Sequence, residues 1–187
     1  MNKHPLSLFN YCPKCGSSEF RVNNPKSKKC GQCGFTYYFN PSSATVAFIV
    51  NERNELLVCR RAKEPAKGTL DLPGGFVDLF ESGEEGVIRE VKEETGLNVK
   101  VVKLIGVYSK PDKDEIVFSF LCEKESGEIA TTDEARSVEF FDFEDLPPKT
   151  APKHVERIED ALKNFSEAIT KIQQGKSSIE LIKEGKL

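Results

Sequence analysis

No run of apolar residues in this 187-residue chain approaches the 18 or more needed to cross a bilayer as a helix. That excludes a helical membrane span within these residues. The stretch from Met1 to Tyr11 lacks the continuous apolar core of a signal peptide, so a cytoplasmic location is expected. Internal repeats and low-complexity segments are missing too, which leaves solenoids and disordered linkers out of account. Neither sign of charge dominates: the net charge is −3, with 30% charged and 38% hydrophobic residues, the balance of a soluble globular protein. The length suits one domain of ordinary size with a small attachment.

What the chain does have is uneven. Residues 1–37 carry six Lys or Arg (Lys3, Lys14, Arg21, Lys26, Lys28, Lys29) against the single acid Glu19. Such a head could touch phosphates or nucleic acid. The simpler expectation is that Lys26-Ser27-Lys28-Lys29 keeps an exposed loop soluble, and no nucleic-acid partner is expected. The same head holds Cys12-Pro-Lys-Cys15-Gly and Cys30-Gly-Gln-Cys33-Gly, two Cys-x-x-Cys knuckles 14 residues apart. A two-residue gap lets both sulfurs of a knuckle face one ion, and four thiolates fill the tetrahedron that Zn²⁺ prefers. Disulfides are the alternative, disfavoured in a reducing compartment. Zinc at Cys12, Cys15, Cys30 and Cys33 would be structural, because no coordination position stays open. Phe35 to Ser43 is expected to be a connector whose aromatics pack between modules or stack on a base.

The densest information lies between Gly75 and Leu97. Ser82 and Glu85 form a capping-box pair, and Gly96 stands where a helix ends left-handed, so a helix is expected over 83–95. Glu90, Glu93 and Glu94 share one face of it at i, i+3 and i+4, while Val87, Ile88, Val91 and Thr95 would face a core. Three carboxylates this close repel one another unless solvated or neutralised, and hard oxygen ligands suit Mg²⁺ or Mn²⁺. Upstream, Gly74 and Gly75 allow close approach of backbone to a metal or phosphate. Arg60 or Arg61 could hold a phosphate, although strand alternation allows only one of the two to face inward.

The arrangement Gly75, Glu81, Arg89-Glu90-Val91, Glu93-Glu94, Gly96-Leu97 resembles the signature of the Nudix hydrolases at every fixed position. The resemblance implies an α/β/α sandwich with a mixed sheet and metal-dependent hydrolysis of a nucleoside diphosphate linked to another moiety. The substrate could be an ADP-ribose- or NADH-like dinucleotide, a nucleotide sugar or a (d)NTP. It implies that Glu90, Glu93 and Glu94 bind metal, that Arg89 orients Glu90, that Glu81 supports the loop, and that Gly75 offers its carbonyl to a metal. For the general base the family leaves a signature Glu or a later carboxylate, here Glu134, with Glu115 behind it. The ribbon ahead of the signature is also similar to NADH pyrophosphatases. Their downstream Ser-Gln-Pro-Trp-Pro-Phe-Pro run reads Ser109-Lys-Pro-Asp-Lys113 here, without its aromatics. A non-catalytic sensor or nucleic-acid-binding module is the alternative reading.

The rest of the chain reads as strands at 44–50, 55–61, 98–109, 116–123 and 137–143. Val155, Ile158, Leu162, Phe165, Ile169 and Ile172 recur at helical spacing, predicting one helix of about 20 residues ended by Gly175. Its stripe would pack on the sheet or form a homodimer contact. The expected organisation is a zinc ribbon and connector at 1–40, a hydrolase domain at 41–150, and a C-terminal helix and tail at 151–187.

Overall fold

The computed structural model describes residues 4–143, 145–147, 149–163 and 166–187. Phe165 of the expected apolar stripe lies outside them. The chain divides into two compact units, Met1–Pro41 and Ser42–Leu187.

The first unit is a three-stranded antiparallel sheet in the order β1 (Phe20–Asn24), β2 (Ser27–Cys30), β3 (Thr36–Tyr38). Its core is small: Cys12, Phe20 and Cys30, with Phe35 against them. Two expectations need correcting. Of the Lys26–Lys29 stretch only Lys26 stays in an exposed turn; Ser27, Lys28 and Lys29 belong to the middle strand, with Ser27 and Lys28 buried and Lys29 exposed. Lys28 donates to the Phe9 carbonyl and lies 5.3 Å from the Phe20 ring centre, so its stem covers apolar surface while its charge keeps a partner. The supposed connector supplies β3, and Tyr37 stacks on Phe9 with ring centres 6.3 Å apart.

The second unit is built on two sheets. One runs β10 (Ile169–Ile172), β7 (Asn98–Lys110), β8 (Glu115–Ser126), β4 (Ser42–Ile49). It is mixed: β4–β8 and β10–β7 are parallel, and β7–β8 is antiparallel. The other sheet is antiparallel, β6 (Leu70–Asp71), β5 (Glu55–Arg61), β9 (Ala135–Asp142). Period-2 alternation along β4 and β5 divides the core into two layers. Val46, Phe48, Leu56 and Val58 face one layer, where α2 (Pro152–Lys163) adds Ile158 and Ala161. Ala47, Ile49, Leu57 and Cys59 face the other, where α1 (Gly83–Thr95) adds Val87 and Val91. Helices on opposite faces of the strands make the α/β/α sandwich.

Helix α1 has the boundaries its caps dictate. Ser82 accepts from the Glu85 N–H, Glu85 returns the bond to the Ser82 N–H, and Gly96 closes the helix at φ +78°. Ile88 departs from expectation and is 37% exposed, because it sits about 100° round the helix from the Val87–Val91 stripe. The C-terminal prediction fails further. Helix α2 ends at Lys163, and Ile169–Ile172 is a strand paired in parallel with Gly106–Ser109. A short helix, α3 (Ser178–Lys183), follows. Among the described residues no helix is long and apolar enough to cross a membrane.

Candidate active site

The loop before α1 is laid along β4 like an extra strand. Thr45 N–H donates to the Gly75 carbonyl (2.7 Å), Ala47 N–H to Pro73 (2.8 Å), and Val77 N–H to Ser43 (3.0 Å). This approach explains Gly74, at φ +150°: a Cβ there would meet the Thr45 carbonyl oxygen at 2.1 Å. At Gly75 the obstacle is functional, since a Cβ would lie 2.4 Å from Glu90 Oε1. The glycine pair therefore brings bare backbone against the acidic face of α1, and the Gly74 N–H donates to Glu94 Oε2 at 2.9 Å.

Arg89 ties this face together. Its Nε and Nη2 grip both Glu81 oxygens (3.1 and 2.7 Å), and its Nη1 donates to Glu90 Oε1 (2.9 Å) and Glu93 Oε2 (3.0 Å). Nη2 also donates to the Phe76 carbonyl at 2.9 Å, so one guanidinium joins the loop to three carboxylates. These bonds hold Glu81 below the usual carboxylate range, and they raise Arg89 further. Glu90 moves the other way, because burial outweighs the Arg89 bond. Burial acts most strongly on Glu94, pushing it up to about 7, with Glu90, Glu134 and Asp71 adding repulsion and only the Gly74 N–H opposing them.

Beside Glu94 a cleft of about 180 Å³ opens between β4, β5, β8 and α2, lined by Arg61, Asp71, Lys110, Glu115, His154 and Arg157. Arg61 Nη1 pairs with Asp71 at 3.4 Å, and Lys110 pairs with Glu115. His154 accepts the Leu72 N–H on Nδ1 at 3.0 Å, and burial among Arg157, Lys110 and Arg61 lowers its pKa well below the ordinary imidazole value. It is therefore neutral, with its remaining proton on Nε2.

The NUDIX domain model matches residues 40–163, about two thirds of the chain. The chain belongs to the Nudix family. Among curated relatives, the ADP-ribose pyrophosphatase of Methanocaldococcus jannaschii is 42% identical over 133 residues, 69% of this chain and 78% of its own length. The NAD-capped RNA hydrolase NudC of Vibrio parahaemolyticus is 27% identical over 146 residues, and the match covers 78% of this chain but only 55% of that relative. The Nudix hydrolase of Nitrosomonas europaea shares the fold at a TM-score of 0.74 with 23% identity, covering 89% of this chain and 99% of its own. The protein is thus a Nudix hydrolase.

Within the Nudix signature, the predicted residues converge unevenly. Glu90, Glu94, Gly74 and Gly75 meet at the loop–helix junction. Glu93 reaches it through Arg89 but is 55% exposed. Glu134 stands close enough to raise both Glu90 and Glu94, with its own carboxylate 3.4 Å from Lys63. Of the two arginines on β5, Arg61 lines the cleft, whereas Arg60 bonds the Gly68 carbonyl at 3.1 Å and lines neither this cleft nor its extension toward α3. Sequence reasoning missed Asp71, Lys110, Lys153, His154 and Arg157. The signal for the last three was a basic edge on α2, at i, i+1 and i+4, beside its apolar stripe.

In the ribbon, the four cysteine sulfurs lie within 4.8 Å of one another, the one metal-competent cluster of its kind among the described residues. The Cys12–Cys33 and Cys15–Cys30 sulfur pairs are 3.7 Å apart. Zn–S bonds of about 2.3 Å in a tetrahedron separate sulfurs by about 3.8 Å, so the cage fits that ion. The carboxylates fit Mg²⁺ or Mn²⁺ by donor chemistry and by the bare backbone facing Glu90, although they do not form a closed cage.

Proposed function

We propose that this Nudix hydrolase cleaves the pyrophosphate bond of a nucleoside diphosphate joined to a second moiety, of the ADP-ribose class, in a reaction that requires Mg²⁺ or Mn²⁺. The observation that carries this reading is the glycine cradle: Gly74 and Gly75 pressed on the Glu90 and Glu94 carboxylates, with Arg89 fixing the loop to the helix. The 42% identity with an ADP-ribose pyrophosphatase supports the substrate class. Glu90, Glu93, Glu94 and the Gly75 carbonyl would hold the cation, which when bound neutralises charge on the phosphate oxygens. The Gly75 oxygen keeps a lone pair beyond the one engaged by Thr45.

The chain's own groups do the rest. Arg89 keeps Glu90 aimed at the loop. Arg61, through its guanidinium, steadies a phosphate in the cleft. Glu134 takes the proton from the attacking water as its oxygen bonds to phosphorus and the P–O–P bridge breaks. The four thiolates of the ribbon would hold a structural Zn²⁺. Turnover of ADP-ribose, NADH, diadenosine polyphosphates, nucleotide sugars, oxidised dNTPs and NAD-capped RNA, each with Mg²⁺ and with Mn²⁺, tests the proposal. Glu90→Gln and Glu93→Gln should each lower kcat by about a hundredfold or more with an unchanged fold. Full activity in either variant, or no hydrolysis across the panel, rejects it.

A further inference from the structure

The cleft beside Glu94 continues outward, past Arg61, His154 and Arg157, to Lys153 on α2 and to Ser177–Ile179 at the start of α3. Four cationic side chains line this continuation, Arg61, Lys110, Lys153 and Arg157, against two carboxylates, Asp71 and Glu115. Both carboxylates already have partners, Arg61 for Asp71 and Lys110 for Glu115. Lys153 and Arg157 remain, with no carboxylate within ion-pairing distance among the described residues.

Their surroundings make this surplus conspicuous. Arg157 is only 2% exposed and its direct partners are neutral: Nη2 donates to Gln173 Oε1 at 2.8 Å, and the guanidinium carbon lies 5.4 Å from the Tyr108 ring centre. The Glu115, Glu156 and Asp71 carboxylates act on it from beyond ion-pairing distance. Its Nε has no hydrogen-bond partner among the described residues, and neither do Arg61 Nε and Lys153 Nζ, although all three atoms are buried. Buried donors are almost always satisfied, and an unpaired buried ammonium is among the costliest groups a protein can hold. His154 adds an Nε2–H, the tautomer its Nδ1 contact fixes. The cations also strain one another: Arg157 and Lys153 both depress Lys110. These residues line one continuous cleft, and an anion with several oxygens is the ligand whose chemistry suits such a set of donors.

We propose that Arg157 and Lys153, with Arg61 and His154, form a phosphate pocket built by the C-terminal helix, which holds a phosphoryl group of the substrate at the end of the cleft away from Glu90 and Glu93. The inference rests on the hydrolase reading above and deepens it. The signature end would hold the substrate through a cation on its carboxylates, and α2 holds it through cationic side chains. The phosphoryl group is either the far half of the scissile pyrophosphate or a further phosphate carried on the second moiety. The exposed Phe76 and Ile179 at the rim leave room for an uncharged ring or sugar beside it.

Inorganic phosphate is the probe, titrated into the full chain without Mg²⁺ or Mn²⁺ and followed by calorimetry and by NMR shifts. Wild-type protein should bind it in preference to chloride. Lys153→Gln should weaken binding roughly tenfold, and Arg157→Gln by more, whereas Arg157→Lys should recover part of the loss. Arg157 is packed tightly enough that its variants could misfold. The Lys153 variant, at a half-buried site, keeps the question open to an answer. In turnover, Lys153→Gln should raise KM about tenfold and change kcat less. An equal effect on ADP-ribose and on its 2′-phosphorylated form assigns the pocket to the pyrophosphate, and an effect confined to the latter assigns it to the added phosphate. Phosphate affinity that is absent, or unchanged in Lys153→Gln, overturns the inference. Because binding is read without turnover, hydrolysis without phosphate affinity removes this inference alone, and phosphate affinity without hydrolysis removes only the proposed reaction.

Discussion

Replacing Glu94 with glutamine should stabilise the metal-free protein at neutral and higher pH. In the folded chain burial holds this carboxyl up to about 7, against an ordinary 4.5. At pH 8 ionisation is enforced, and a rise of that size corresponds to roughly 3 kcal/mol set against the native state. That rise already includes the charge-assisted Gly74 bond, and the introduced amide oxygen still accepts the Gly74 N–H, as the neutral carboxyl does. The gain expected is therefore about 3 kcal/mol, or a Tm rise of roughly 6–12 °C for a chain of this size. The pH dependence follows from the raised pKa. The neutral carboxyl costs little below its unfolded pKa, so the variant and wild type should match near pH 4. Wild type should then fall behind as pH climbs from about 4.5 to 7, and the gap should stay constant above that. The assay is thermal unfolding across this range in buffer free of Mg²⁺ and Mn²⁺, with zinc retained. Adding Mg²⁺ should restore wild type and leave the variant unmoved. A variant less stable than wild type at pH 8, or a gap independent of pH, would refute the reasoning.

Gly75→Ala should reduce turnover at least about tenfold with a Tm shift of only a few degrees, because the added methyl displaces the Glu90 carboxylate rather than backbone. Circular dichroism melts and steady-state kinetics on one preparation separate the two effects. Stripping zinc should unfold the ribbon while leaving the second unit folded, since the ribbon core is little more than Cys12, Phe20, Cys30 and Phe35. Amide signals of 4–41 should collapse toward random-coil positions as a colorimetric chelator reports one zinc per chain; a ribbon that keeps its dispersion refutes this.

The parts legible in the sequence were those written in local chemistry. Ser82, Glu85 and Gly96 fix both ends of α1 through bonds only a few residues long, and the cysteine knuckles specify their cage through spacing alone. What escaped was set by partners distant in the chain. Ile169 and Ile172 fit a helical period as well as a strand, and the choice falls to the open edge of β7, some 60 residues earlier. Arg60 and Arg61 were indistinguishable by alternation. Asp71 on β6 and the Gly68 carbonyl settle which one enters the cleft. Lys28 looked like a loop lysine because nothing nearby announces the Phe9 carbonyl and Phe20 ring that receive it. The basic edge of α2 was visible, but its meaning depends on Leu72, Tyr108 and Gln173 coming against His154 and Arg157 from distant parts of the chain, which no short pattern encodes.

Gln173 gives the molecule a timetable. It is wholly buried, accepting from Arg157 and donating to the Lys153 carbonyl and to Glu156, and it stands just after the strand that pairs with β7. Synthesis delivers the signature helix and its glycine loop long before Gln173 leaves the ribosome. In that interval the nascent chain has its acidic face but no polar anchor for the opposite wall, and the edge of β7 is still open to other strands. The cationic wall of the cleft is therefore finished late, by a glutamine some eighty residues beyond the signature carboxylates.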